Sequence, residues 1–122
     1  MVHFNNYAKF IENRYGSPYY KWKVFVDEPD SVLDQIDQVE YTLHPTFSPP
    51  NRIYENREEK FALETFGWGE FTMLISVKFR NGKVEKVPYW LDLKKKWPKR
   101  IHYLLSIHNI LSVLKLIIRK VK

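Results

Sequence analysis

The chain contains no cysteine, which excludes a disulfide framework, a thiolate metal site and a thiol nucleophile and suits a reducing compartment. The opening residues, Met1-Val2-His3-Phe4-Asn5-Asn6, lack the charged stretch and apolar run of a secretory signal, so the expected location is the cytoplasm. No carboxylate pair and no Ser/His/Asp set stands at a catalytic spacing, and three of the four histidines, His3, His102 and His108, are scattered between the start and the tail. The expectation is a protein without catalytic residues, metal site or cofactor. There is no internal repeat and no low-complexity segment. Acidic residues are missing altogether after Asp92.

That last absence divides the charge. The net charge is +6, yet residues 1–93 hold 11 Lys/Arg against 14 Asp/Glu, a balance of −3, while residues 94–122 hold 9 Lys/Arg and no acid, a balance of +9. A polyanion-binding domain spreads positive charge over its folded face. Here the body is mildly acidic, which argues against nucleic acid as its partner.

At 122 residues the chain fits one domain. Trp22, Val24 and Val26 alternate with Lys21 and Lys23, the period-two mark of a half-buried strand with Trp22 in the core. The segment before it reads as a strand ending in a turn over Glu12–Pro18, with a short helix over Asn6–Tyr15 stopped by Gly16 as the rival. Asp30 or Ser31 offers an N-cap to a single helical turn through Leu33 and Ile36. Val39–Leu43 is a strand ended by Pro45, and Thr46–Glu59 reads as a long irregular connection, the expected mobile segment. Phe61–Thr65 forms a short strand. Phe71–Phe79 and Val84–Leu93 flank Asn81-Gly82, a strong hairpin signal. About seven short strands separated by turns predict an all-β, antiparallel β-sandwich over residues 1–93.

Residues 94–122 are predicted to be a basic linker and a C-terminal amphipathic helix, because Leu104, Ile107, Leu111, Leu114, Ile118 and Val121 recur at spacings of three and four. From Ile101 to Ile118 such a helix is about 27 Å long, near the thickness of a hydrocarbon core, but His102, Ser106, His108, Asn109, Ser112 and Lys115 interrupt it. Its apolar face can pack on the sandwich, self-associate with a second copy or lie on an anionic membrane surface through residues 101–121.

Two short stretches stand apart from the scaffold: Leu43-His44-Pro45-Thr46-Phe47 and Gly67-Trp68-Gly69-Glu70-Phe71. Each puts an aromatic in a turn at a strand end, where loop-tip rings on a rigid sheet build a site for a flat or cationic group. Gly67 and Gly69 are expected to supply backbone angles closed to other residues and to hold Trp68 at an exposed tip, although Trp68 can equally cap the sandwich. His44 reads either as a pocket wall or as a strand-end histidine whose ring bonds a neighbouring loop backbone, and Glu70 as a solvated or turn-bonding carboxylate.

Together with Trp22-Lys23-Val24-Phe25-Val26, the Phe61–Thr65 run and Asn81-Gly82, these two stretches make the chain from Tyr20 to Leu93 resemble a YEATS domain of the prokaryotic kind. The resemblance implies an immunoglobulin-like sandwich followed by the helix, and a non-enzymatic module similar to the eukaryotic readers of acetyl- or crotonyl-lysine on histone tails. It casts Phe47 and Trp68 as the rings that sandwich the acyl group, His44 as a wall, and the Thr46 hydroxyl and Trp68 backbone N–H as donors to the acyl carbonyl. Gly67 and Gly69 flank that wall. The readers' first-loop aromatic falls at Pro18, leaving Tyr19 and Tyr20 as candidates for the third wall. Prokaryotic members also occur beside signalling and defence domains, which implies an adaptor role as the alternative.

Overall fold

A computed structural model describes residues 1–98. Seven strands form two antiparallel sheets: β1 (Phe4–Arg14), β2 (Ser17–Val26) and β5 (Leu63–Gly67) in the order β1-β2-β5, and β3 (Ile36–Thr42), β4 (Asn51–Tyr54), β6 (Thr72–Phe79) and β7 (Val84–Trp90) in the order β4-β3-β6-β7. The predicted all-β sandwich is therefore present. The predicted helix over residues 101–121, with the self-association and membrane roles assigned to it, lies outside the described residues. Among the described residues no helix is long and apolar enough to cross a membrane.

The core lies between the sheets and follows from strand alternation. Trp22, Val24 and Val26 of β2 are buried, as are Met73, Ile75 and Val77 of β6, while Leu74 and Lys78 face outward. Tyr41 of β3 is fully buried, and its hydroxyl donates to the Phe61 carbonyl at 2.7 Å, which satisfies the polar end of a core ring. Phe4 meets that ring edge-on at 6.2 Å, so β1 of one sheet packs on β3 of the other.

Local chemistry explains the turns, with several departures from the expected boundaries. The turn expected over Glu12–Pro18 shrinks to Tyr15-Gly16, both left-handed (φ 52° and 80°), so β1 and β2 pair out to Arg14↔Ser17 and the rival helix is ruled out. Two left-handed residues match the twist of the flanking strands, which lets the ladder run to its end. At the second hairpin only Gly82 is left-handed (φ 90°), and its N–H donates to Phe79 O at 3.0 Å. The hairpin stands where Asn81-Gly82 predicts it, with a longer loop than the two-residue form. The helical turn α1 (Asp30–Leu33) is capped by Pro29 without a side-chain hydrogen bond, not by Asp30 or Ser31, because the Pro29 carbonyl already accepts from Val32 N and Leu33 N.

The connection over Thr46–Glu59, expected to be irregular, contains β4 and a 3-10 turn at Arg57–Glu59 whose Asn56 side chain accepts from Glu58 N. Leu43 N donates to Pro50 O at 2.8 Å, closing the loop before β4 pairs with β3 from Thr42↔Asn51 to Val39↔Tyr54. Edge strands need only one partner and one half-buried face, so their residues carry a weak alternation signal.

Beyond β7 the chain turns back onto β1. Ala8 N donates to Lys95 O at 2.8 Å and Trp97 N to Ala8 O at 3.0 Å, so the segment as far as Trp97 is held on β1. The fully buried Asn6 ties this closure down: its Nδ2 donates to Asp92 O, and its Oδ1 accepts from Tyr89 Oη at 2.6 Å and from Asp92 N. Burial, reinforced by the charges of Asp92 and Asp27, pushes the Tyr89 hydroxyl up to about 12.

Candidate functional site

The two aromatic stretches meet at one end of the sandwich. His44–Phe47 is a β-turn with Pro45 at its second position, and Phe47 N donates to His44 O at 3.0 Å. The second stretch leaves the end of β5 at Gly67 and enters β6 at Thr72. Between them lies a cavity of about 510 Å³ lined by His44, Thr46, Phe47, Gly67, Trp68 and Gly69. Phe66, Glu70, Phe71 and Ser48 complete its wall. Six of the eight residues singled out in the sequence thus share one cavity.

Each wall has a definite support. Phe47 stands edge-on to the buried Trp22 at 6.0 Å and tilted against Phe71 at 5.6 Å, with the Arg52 guanidinium 5.9 Å from its ring centre. It is therefore anchored on the core while one side faces the cavity. Trp68 is 49% exposed and stands free of the core, which decides against the sandwich-capping reading. The Trp22 indole N–H is buried and has no hydrogen-bond acceptor among the described residues; Phe71 and Phe47 pack edge-to-face on that indole.

Gly67 and Gly69 do not serve as expected, since neither has a positive φ. Gly67 is required by close approach instead: a Cβ there would lie 3.3 Å from both Phe47 Cζ and Trp22 Nε1. Gly69 has open space, with nothing within 4 Å of a Cβ. The first glycine lets the Phe47 ring settle against the β5 backbone; the second has no steric reason to be glycine.

His44 combines both of its readings. Its ring meets Phe71 edge-on at 6.4 Å, and its Nδ1 accepts the Thr46 backbone N–H at 3.2 Å and lies 2.9 Å from Thr46 Oγ1. With Nδ1 accepting from the backbone, the imidazole carries its proton on Nε2 and the Thr46 hydroxyl donates to Nδ1. Glu70 is turn-bonding: its Oε2 accepts from Leu93 N at 2.8 Å and pins the 68–71 turn to the end of the sandwich.

The third-wall candidates part company. Tyr19 lies on the outer side of the sheet, stacked on Phe66 at 5.8 Å, tilted against Trp68 at 4.6 Å, and covered by the Arg14 guanidinium at 4.1 Å. It supports Trp68 and does not line the cavity. Tyr20, opposite Gly67 in the ladder, lines a separate cavity with Phe10. Successive residues of a strand face opposite sides, so the two tyrosines cannot do the same work. The wall residues not assigned to the site from the sequence are Ser48, Phe66, Glu70 and Phe71, although Glu70 and Phe71 close the second stretch.

With this geometry in view, comparison with known proteins is specific. The chain is 32% identical over 71 residues to the transcription initiation factor TFIID subunit 14b of Arabidopsis thaliana, covering 55% of this chain and 25% of that protein. It is 34% identical over 68 residues to the AF-9 homologue of Kluyveromyces lactis, covering 54% of this chain and 30% of that protein. The chain thus spans only a quarter to a third of these relatives. Among solved structures, the yeast AF-9 homologue Yaf9 superimposes with a TM-score of 0.62 at 31% identity, over 74% of this chain and 64% of that one. The Yaf9 YEATS domain recognising an H3K122suc peptide gives 0.61 at 28% identity, over 76% and 77% of the two chains. The same domain bound to H3K27ac gives 0.56 at 28%, over 76% of each. The family model of the prokaryotic YEATS domain matches residues 20–92, the stretch that holds β3 to β7, most of β2 and both cavity loops, and the chain belongs to that family.

Proposed function

We propose that the protein is a non-enzymatic binding module that takes an acylated lysine of a peptide, the acyl group entering the cavity between Phe47 and Trp68. One observation carries the reading: loops from two separate parts of the chain bring His44, Thr46, Phe47, Gly67, Trp68 and Gly69 around a single cavity of about 510 Å³. That volume lies within the range of roughly 300–1,000 Å³ usual for small-ligand sites. The similar Yaf9 domains bound to H3K27ac and recognising H3K122suc support the ligand class.

The chemistry fits. An acyl-lysine amide is neutral and planar, so ring faces suit it, and an unsaturated acyl group stacks better than a saturated one. The Thr46 hydroxyl has one proton to donate, and in the free protein it faces His44 Nδ1 at 2.9 Å. Donating it to an acyl carbonyl exchanges one hydrogen bond for another, which contributes at most about 1 kcal/mol. Affinity must then come chiefly from the aromatic walls. An unmodified ammonium would meet Glu70 as the only carboxylate on the lining, and one oxygen of that carboxylate is already engaged by Leu93 N.

Titration with acetyl-, crotonyl- and unmodified lysine peptides, followed by tryptophan fluorescence and amide shifts, tests the reading. Acyl peptides should perturb Trp68 at sub-millimolar concentration, and Trp68→Ala should abolish the response. If no acyl peptide binds below millimolar concentration, or if Trp68→Ala leaves affinity unchanged, the reading is wrong.

A further inference from the structure

Trp68, Gly69 and Glu70 line not one cavity but two. The second, about 760 Å³, lies where β1, β2 and the returning segment after Leu93 come together. Its apolar surface is made by Phe10, Tyr20, Leu93 and Trp97, and its charged lining by Lys9, Lys94 and Lys96 against the single carboxylate of Glu70. Among the described residues none of these three lysines has a carboxylate within ion-pair distance. Lys9 and Lys21 instead converge on one ring, each Nζ 5.6 Å from the Trp97 ring centre. Lys21 is partnered by Glu64 at 2.7 Å; Lys9 is not. Like charges gathered over an apolar floor make a place where a carboxylate is favoured.

We infer that this cleft is a second subsite, which takes an acidic stretch of the same peptide whose acyl-lysine fills the first cavity; the inference rests on the proposed function of that cavity. A carboxylate side chain of the peptide meets Lys9, Lys94 and Lys96, and an apolar neighbour covers Trp97 and Phe10. The shared 68–70 turn makes the two cavities contiguous, so one extended peptide reaches both by crossing Trp68. The module therefore selects acyl-lysines in acidic surroundings and disfavours those in basic ones.

The test uses the full chain and acetyl-lysine peptides that differ only in flanking residues: Glu-Leu, Gln-Leu or Lys-Leu. At low salt the Glu-flanked peptide should bind about five- to tenfold more tightly than the Gln-flanked one, and the Lys-flanked one more weakly than either, with the spread shrinking as salt rises. Amide and indole shifts should appear at Phe10, Tyr20 and Trp97 with the Glu-flanked peptide. The variant Lys9→Gln, Lys94→Gln, Lys96→Gln should lose the preference. Equal affinity across the flanks, with shifts at Phe47 and Trp68 but none at Trp97, overturns the second subsite and leaves the acyl-lysine reading standing. Shifts at Trp97 with the Glu-flanked peptide, acetylated or not, and none at Phe47 overturn the acyl-lysine reading and the joint occupancy inferred here. A short oligonucleotide displacing the Glu-flanked peptide at lower concentration than the peptide itself would also overturn the inference.

Discussion

Replacing each of the two glycines beside Trp68 by alanine separates steric packing from loop flexibility. At Gly67 the new methyl would lie 3.3 Å from Phe47 Cζ and from Trp22 Nε1, closer than carbon and nitrogen ordinarily approach. Trp22 is fully buried in the core, so the neighbour that gives way is Phe47, which sits on a loop and is only partly buried. Such overpacking costs about 1–3 kcal/mol. Because φ at Gly67 is not positive, alanine also removes freedom from the unfolded chain and recovers about 0.4–1 kcal/mol. The net expectation is a loss of about 1–2 kcal/mol, a fall in Tm of roughly 5–12 °C for a domain of this size. At Gly69 nothing lies within 4 Å of the methyl, so the same change should be neutral or stabilise by up to about 1 kcal/mol. Displaced Phe47 in Gly67→Ala should also weaken acyl-peptide binding about tenfold, or about 1.4 kcal/mol. Thermal denaturation and peptide titration of both variants measure each quantity. A Gly67→Ala protein with unchanged Tm and affinity, or a Gly69→Ala protein damaged as much, would refute the packing argument.

Further expectations follow from the same contacts. Thr46→Val removes the hydroxyl that bonds His44 Nδ1 while leaving the exposed loop in place, so acyl-peptide affinity should fall about fivefold with a stability change under about 1 kcal/mol by urea unfolding. Tyr19→Ala withdraws the ring behind Trp68; Trp68 emission should shift to longer wavelength and peptide affinity should drop although Tyr19 does not line the cavity. Asn6→Ala strands Asp92 O, Asp92 N and the Tyr89 hydroxyl, which should cost about 2–4 kcal/mol in denaturant unfolding. Tyr89 is held neutral by burial with its hydroxyl at about 12, above the ordinary value of 10, so the folded state binds its proton more tightly than the unfolded state. Stability from this group is whole below pH 10 and declines as pH rises toward 12, and Tyr89→Phe should flatten that part of the stability curve while a tyrosinate absorbance titration loses its step near 12.

Where a signal depends on near neighbours in sequence, it was legible. Alternation placed Trp22, Val24 and Val26 in the core because a strand's side chains point to opposite faces whatever the rest of the chain does. Pro45 and Gly82 marked the turns at which β3 stops and β6 doubles back, through local backbone geometry alone. The uneven charge, with no acid beyond Asp92, was also plain from composition. Tertiary structure alone decided what depends on distant pairing. β4 forms where Leu43 and Pro50 close a loop that lets Asn51–Tyr54 reach β3, a contact that the residues before and after it do not announce. The glycine at position 67 answers to Trp22 and Phe47, each far along the chain, and its φ is not positive, so expecting it to supply a backbone angle closed to other residues mistook a packing requirement for a backbone one. Tyr19 and Tyr20, adjacent and chemically alike, fall on opposite faces of β2, one behind Trp68 and one in a second cavity, because neighbouring strands decide what each face meets. The sequence by itself determined which residues stand at the loop tips; only the pairing of β3 with β6 and β2 with β5 brought those tips together around a cavity, since a contact between distant segments is set by the whole sandwich and by neither segment alone.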